Sequence, residues 1–177
     1  MASMSPASDV PHPLWPLAVL RILFGAMYLH MTLQKAPWVV SDGHRFGWLY
    51  GFIEKEIANP TFGWYKALLQ GVVLPNFTLF GAMTFLTELA LGAALVLGIL
   101  VPVAGLAGAL WQVNIALGAW SVPGEWGWIW MLLIMPQVAF ALCRAGRSLG
   151  LDGAIARTLA ERIVAGRDLP RWARYLA

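Results

Sequence analysis

Four long apolar runs constrain the fold of this 177-residue chain more than any other feature. Each is close to the roughly 20 residues that a helix needs to cross about 30 Å of hydrocarbon. Hydrophobic residues make up 59% of the chain and charged residues 12%, whereas about a quarter of the residues in soluble domains are charged. The sequence therefore predicts an all-α membrane protein with a single membrane domain over residues 1–177. Its fold is a four-transmembrane-helix bundle with spans at about residues 16–34, 75–100, 102–120 and 126–143.

The placement of charge predicts the orientation of the bundle. Seven arginines lie between Arg144 and Arg174, and such an excess is typical of a cytoplasmic flank. We therefore expect a multi-pass protein of a bacterial or archaeal cytoplasmic (inner) membrane, with both termini cytoplasmic. Apolar residues recur among the arginines of the tail, residues 144–177, which predicts a basic amphipathic helix on the inner surface. A partner-docking helix would have the same pattern. No nucleic-acid partner is expected, because no groove-reading or stacking element accompanies the basic residues.

Residues 36–74 are too polar to span a membrane, yet they are rich in aromatic side chains. This composition predicts one or two short interfacial helices on the outer membrane surface. Trp126, Trp128 and Trp130 fall at the same level and would extend the aromatic belt. Two interpretations are open: the segment only anchors the bundle, or it covers an opening through which a lipid-soluble ligand enters.

Polar residues within the first three runs share helix faces with small residues, which permit close helix approach. We predict that these faces point into the bundle and form a polar layer, joined by Gln137 from the fourth run. The three faces comprise Arg21, Gly25, Tyr28, Thr32 and Lys35; Gly81, Thr84, Glu88 and Gly92; and Gly105, Gly108, Ala109, Gln112 and Ala116.

Arg21 and Glu88 are expected to meet in the bundle, directly or through Gln112, because a charge exposed to lipid costs several kcal/mol. Two interpretations are open. The pair either neutralises itself and fixes helix register, or one member binds a ligand or relays a proton. His30, in the outer half of the first run, is more typical of a packing residue than of a metal ligand. No metal site is predicted, and the single cysteine, Cys143, excludes a disulfide or dithiol within the chain.

Three motifs, taken in order, carry a family resemblance. They are the series from Arg21 to Gly25 followed by Tyr28, His30 and Gln34-Lys35; the run Glu-Leu-Ala-Leu-Gly-Ala-Ala-Leu-Val-Leu-Gly from Glu88; and Ala-Gly-Arg-Ser-Leu-Gly-Leu-Asp from Ala145. Together they resemble the DoxX/DoxD family over about residues 17–152. The long segment before the second run is similar to the DoxD branch. Met31 and the uncharged Val101-Pro102 turn depart from the family pattern.

The resemblance implies an integral membrane subunit of the thiosulfate:quinone oxidoreductase type. Its activity would be quinone-associated electron transfer from a reduced sulfur compound, with a partner membrane or periplasmic subunit and no intrinsic cofactor beyond a bound quinone. The implied quinone site comprises Arg21, Glu88 and Gln112, with Tyr28 and His30 as further contributors; no catalytic residue is assigned. The alternative is a non-catalytic accessory or stabilising subunit of a larger respiratory or photosynthetic membrane complex, which the lack of an intrinsic redox centre favours.

Overall fold

The computed structural model describes residues 14–165, except for the side chain at position 164, and this part of the chain is mostly helical. The predicted tail beyond residue 165 lies outside the described residues. The described helices are α1 (Trp15–Gln34), α2 (Leu49–Ala58), α3 (Gly63–Leu68), α4 (Phe77–Leu97), α5 (Val101–Ala119), α6 (Ile129–Leu142) and α7 (Leu151–Val164). Strands β1 (Val40–Ser41) and β2 (His44–Arg45) form a short antiparallel hairpin between α1 and α2.

Three of these helices, α1, α4 and α5, are long and apolar enough to cross a membrane. The fourth predicted run forms a shorter apolar helix, α6, of 14 residues, which is about 21 Å long. It begins at Ile129 rather than near residue 126, and residues 127 and 128 before it form a turn. The chain is thus a helical protein with membrane-spanning character.

The four apolar helices pack as two close pairs, α1 with α4 and α5 with α6, and contacts between α4 and α5 and between α1 and α6 join the pairs. A Cβ atom at Gly25 would lie 2.7 Å from the backbone nitrogen of Val96. One at Gly92 would lie 2.8 Å from the side chain of Leu29. The predicted small residues therefore do permit close approach of α1 and α4. Large apolar side chains such as Leu23, Leu86 and Leu110 are exposed on the outside of the bundle, as expected of surfaces that face lipid.

Residues 36–74, here called the connecting segment, fold into an ordered layer at the end of the bundle where α1 stops and α4 starts. They contain the hairpin, α2, α3 and a π-helical turn, Leu69–Val73. Five buried apolar side chains of this layer pack together with Phe77 of α4 to form its core: Phe46, Ile53, Tyr65, Leu69 and Val73. The segment contains two short helices, α2 and α3, and a hairpin that was not predicted.

The opposite end of the bundle, here called the α7 end, is held together by Asp152. Its carboxylate accepts hydrogen bonds from the backbone N–H groups of Leu100 and Val101, at 2.7 and 2.9 Å. Its own N–H donates to the carbonyl of Gly98 at 2.9 Å. Since the first N–H groups of a helix lack intrahelical partners, Asp152 caps α5 and fixes the start of α7 to the α4–α5 turn.

Candidate functional site

Buried and half-buried polar side chains from the bundle helices meet the inward face of α1, and we call them the polar cluster. All five residues of the predicted α1 face are buried. Side chains from α4, α5 and α6 meet this face. The polar cluster comprises Tyr28, Lys35, Glu88, Trp111, Gln112 and Gln137.

The strongest charge interaction in the polar cluster is the ion pair between Lys35 and Glu88. The Lys35 Nζ lies 2.5 Å from the Glu88 Oε1, and the two side chains are 5% and 2% exposed. The Trp111 Nε1 lies 3.5 Å from the same oxygen, and the Trp48 ring centroid lies 5.1 Å from the Lys35 ammonium. The other carboxylate oxygen, Glu88 Oε2, is buried and has no hydrogen-bond partner among the described residues.

A directional hydrogen-bond chain crosses the bundle beside this ion pair. The Gln112 amide donates to the Tyr28 hydroxyl at 3.1 Å, and the hydroxyl lies 3.2 Å from the Gln137 Oε1, to which it donates. The Gln137 amide in turn donates to the Leu133 carbonyl at 2.8 Å. A Cβ atom at Gly108 would overlap the Gln137 amide, so a larger residue there would displace the Gln137 side chain. The predicted polar layer therefore includes Tyr28, Gln112 and Gln137.

The expected contact between Arg21 and Glu88 does not form, directly or through Gln112. Arg21 is fully buried at the α7 end. Its guanidinium donates to the carbonyls of Leu95, at the end of α4, and Leu149, the latter at 2.9 Å. It also has a favourable electrostatic interaction with Asp152. Arg21 therefore joins α4 to the segment before α7, and it does not belong to the polar cluster.

The direction of helical side chains explains why Lys35 rather than Arg21 reaches Glu88. Side chains in a helix lean toward its N-terminus. Arg21 therefore leans toward the α7 end, away from Glu88, whereas Lys35, which follows the last residue of α1, leans back into the bundle. Glu88 leans toward the start of α4, where Lys35 lies. Lys35 lies on the predicted α1 face. The direction of its side chain would have identified it as the partner of Glu88.

His30 lies outside the polar cluster. Its ring is exposed, and the Nε2 atom lies 2.9 Å from the Gln34 amide nitrogen. Gln34 also accepts a hydrogen bond from the Trp48 indole at 3.3 Å. Of the predicted site residues, the structure therefore brings together Tyr28, Glu88 and Gln112, but not Arg21 or His30. No group of three or more histidine, cysteine or acidic side chains within residues 14–165 is arranged to hold a metal ion.

A second buried acid, Glu56 of α2, was not predicted. It is 7% exposed and packs against the last turn of α5, where a Cβ atom at Gly118 would lie 2.6 Å from its carboxyl carbon. Burial raises the pKa of Glu56 to about 7. Burial, and secondarily the nearby Glu56, raises the pKa of Tyr65 to about 12. Tyr65 donates to the Asn114 carbonyl of α5 at 3.0 Å, so both side chains fix the connecting segment to α5.

We expect the connecting segment to lose stability as the pH rises from about 5 to 8. The folded-state pKa of Glu56 lies above its ordinary value of 4.5, so the folded state holds the proton that the unfolded state releases. Stability therefore falls as pH rises through this window, by at most about 3 kcal/mol. Glu56→Gln should remove this fall in thermal unfolding measured by tryptophan fluorescence, and Glu54→Gln, exposed on the same helix, should not. An unchanged pH dependence in Glu56→Gln would contradict the assignment.

The polar cluster offers specific chemistry in an apolar bundle. Lys35 and Trp111 supply N–H donors, and the unpartnered oxygen of Glu88 is an acceptor. A buried polar atom without a partner is uncommon in proteins. The cluster therefore places two N–H donors and one unpaired acceptor oxygen side by side inside the bundle.

Comparisons with known proteins do not identify the chain. It matches no protein-family model, no curated protein and no solved structure. The fold and the buried polar groups define a mostly helical protein. It has three helices suited to a membrane and an ion pair inside the bundle.

Proposed function

We propose that this chain is a DoxX/DoxD-like integral membrane subunit that binds a quinone headgroup at the polar cluster. It would take part in electron transfer from a reduced sulfur compound to quinone. The observation that carries the proposal is the buried Glu88 Oε2 atom, which has no partner among the described residues although it lies beside Lys35 and Trp111.

The donors and acceptors of the cluster fit the chemistry of a quinone. The quinone carries carbonyl acceptors, to which the Lys35 ammonium and the Trp111 N–H would donate. The reduced form carries hydroxyl donors, for which the Glu88 carboxylate is the acceptor. Since Lys35 and Glu88 pair with each other, the cluster also holds a proton donor next to a proton acceptor, which suits a reaction in which electrons and protons arrive together. The electrons would come from a partner subunit or directly from the sulfur compound.

Quinone content of the purified protein tests the proposal. Organic extraction of the wild-type protein, purified in mild detergent, should yield about one quinone per chain by ultraviolet absorbance. Glu88→Gln and Trp111→Phe should lose most of it, because each removes one polar contact of the cluster. The matched control is His30→Gln, which alters an exposed polar residue of α1 outside the cluster and should keep its quinone. Equal quinone content in all four proteins would refute a specific site.

We further propose that α6 is a fourth span and that both termini are cytoplasmic. Flanking turns extend this short helix, and exposed Trp126 and Trp128 precede it, as aromatic residues do at membrane interfaces. The connecting segment then lies on the outer surface with α2 and α3 as interfacial helices, and α7 lies inside. Cys143, the only cysteine, is exposed after α6. An impermeant maleimide should label it only after cells are permeabilised, and labelling in intact cells would reverse the topology.

The second candidate function is a non-catalytic accessory or stabilising subunit of a larger membrane complex. One observation favours it: Arg21, Lys35 and Asp152 all bind groups within the chain, as expected if the ionic groups serve only to hold the bundle together. The two candidates differ in what accompanies the purified protein. A stoichiometric protein partner without quinone would favour the accessory role.

A further inference from the structure

The seam between α4 and α5 joins the two close helix pairs of the bundle, and it is covered at both ends. At one end, Phe85 of α4 and Leu117 of α5 pack against the core of the connecting segment. At the α7 end, Asp152 caps the start of α5 and holds the α4–α5 turn. A ligand that reaches the polar cluster along this seam therefore enters from the side, between these two closures.

Asn114 is an exposed polar residue of α5 at the edge of the connecting segment. It lies five residues before Ala119, the last residue of this membrane-suited helix, which is about 7.5 Å from the helix end. Its Oδ1 atom is 3.3 Å from the Tyr65 hydroxyl, which leaves the amide N–H group without a hydrogen-bond partner among residues 14–165. An unpaired amide surrounded by hydrocarbon is costly, so this position favours contact with a polar molecule that comes from the bilayer.

Trp111 continues the line of polar atoms from Asn114 into the bundle. It precedes Asn114 by three residues, so the two side chains are neighbours on the surface of α5. Trp111 is half-buried, and its Nε1 atom lies 3.5 Å from the Oε1 atom of buried Glu88. Polar groups therefore lead in sequence from an exposed amide to a half-buried indole to the buried carboxylate of the polar cluster.

We propose that the seam at Asn114 and Trp111 is the entrance through which a quinone headgroup passes from the bilayer to the polar cluster. This inference rests on the proposed quinone site. An amide carries both a donor and an acceptor, so Asn114 can pair with a quinone carbonyl and with a hydroxyl of the reduced form. The apolar tail would lie along Leu110, which is 70% exposed and one turn from Asn114 on the same face. Asn114 thus serves passage and not the bound state.

The exchange rate of bound quinone tests the entrance separately from the site. Protein in detergent is loaded with a deuterated short-chain quinone and diluted into excess unlabelled quinone. Mass spectrometry after rapid gel filtration measures the deuterated quinone that remains bound. Asn114→Leu should keep the wild-type quinone content but exchange it about tenfold more slowly, as expected when one hydrogen bond is lost along the path. The variant keeps the Tyr65 hydrogen bond to the backbone carbonyl of residue 114, at 3.0 Å, so the connecting segment stays attached to α5.

Two further variants make the result specific. Asn114→Gln keeps an amide at this position and should restore at least half of the wild-type rate. The matched control, His30→Leu, removes an exposed polar group four residues before the end of α1 and should exchange at the wild-type rate.

Three results would overturn the entrance. An unchanged exchange rate in Asn114→Leu would place the path elsewhere, and equal slowing in His30→Leu would assign the effect to general surface polarity. Loss of quinone content in Asn114→Leu, as expected for Glu88→Gln, would make Asn114 part of the bound state. Absence of quinone from the wild-type protein would instead refute the site itself, and the entrance with it.

Discussion

Replacing Lys35 by methionine is expected to destabilise the protein by about 3–5 kcal/mol, because the buried Glu88 charge is left without its partner. Glu88 lies near the middle of α4 and is 2% exposed, so its carboxylate cannot reach water. Glu88→Gln should lower the free energy of unfolding by less than Lys35→Met does. Lys35 follows the last residue of α1, so its long side chain can turn outward, toward the Trp48 ring. Unfolding in mixed micelles, followed by tryptophan fluorescence, measures both changes.

The double variant Lys35→Met/Glu88→Gln should recover most of the loss, because no unpaired charge remains in the bundle. His30→Gln is the control for a polar change on α1 outside the polar cluster. If the two single variants are additive, with no recovery in the double variant, the two side chains do not interact as the geometry indicates. A larger loss for Glu88→Gln than for Lys35→Met would contradict the assigned depths.

Arg21→Gln is expected to cost about 3 kcal/mol, because hydrogen bonds from a charged donor are worth about 1.5–3 kcal/mol each. The loss should be local. Arg21 binds carbonyls of Leu95 and Leu149, so hydrogen exchange should rise most over residues 146–152 and in the first turn of α5, which Asp152 caps.

Arg21→Lys should rescue less than half of this stability, because a single ammonium cannot reproduce the planar fork that spans α4 and the segment before α7. Arg157→Gln, which removes an exposed arginine from α7, is the control and should remain within about 0.5 kcal/mol of the wild type. Unchanged exchange at residues 146–152 in Arg21→Gln would mean that Arg21 does not hold the α7 end.

The apolar runs and small-residue faces were enough to predict α1, α4 and α5 and the sides that these helices bury. Run length depends on composition alone, and a period of 3.6 residues places side chains on faces without knowledge of neighbours. The end of α4 illustrates where this fails. The predicted run continues to residue 100, but Gly98 adopts φ +66° and ends the helix, a conformation that is set by the turn into α5.

The sequence predicted several of the residues of the candidate site, but it did not predict which of the charged residues form an ion pair. Tyr28, Glu88 and Gln112 were expected in the bundle because burial of polar residues follows from helix faces. The pairing of buried charges depends on the direction and length of their side chains. An estimate based only on the depth of each Cα atom paired Arg21 with Glu88. Arg21 instead binds Leu95 of α4 and the segment before α7, which lies more than 120 residues away in sequence.

Glu56 and Asp152 were not predicted as structural acids for a related reason. Neither acid lies in an apolar run, so the free-energy cost of placing a charge inside a membrane did not single out either of them. Asp152 is identifiable as a cap only when the start of α5 is placed beside it, and Glu56 is buried only because Gly118 leaves room on α5. Both roles arise from packing between elements that are distant in the sequence.

Photoaffinity labelling with an azidoquinone tests most directly whether the polar cluster binds quinone. The labelled wild-type protein, digested and sequenced by mass spectrometry, should carry the adduct on the peptides of α4 and α5 that contain Glu88 and Trp111. Excess unlabelled quinone should compete, and Glu88→Gln should lose the adduct while His30→Gln retains it. Adducts confined to the exposed outer faces of the helices, or equal labelling of wild type and Glu88→Gln, would contradict a quinone site in the bundle.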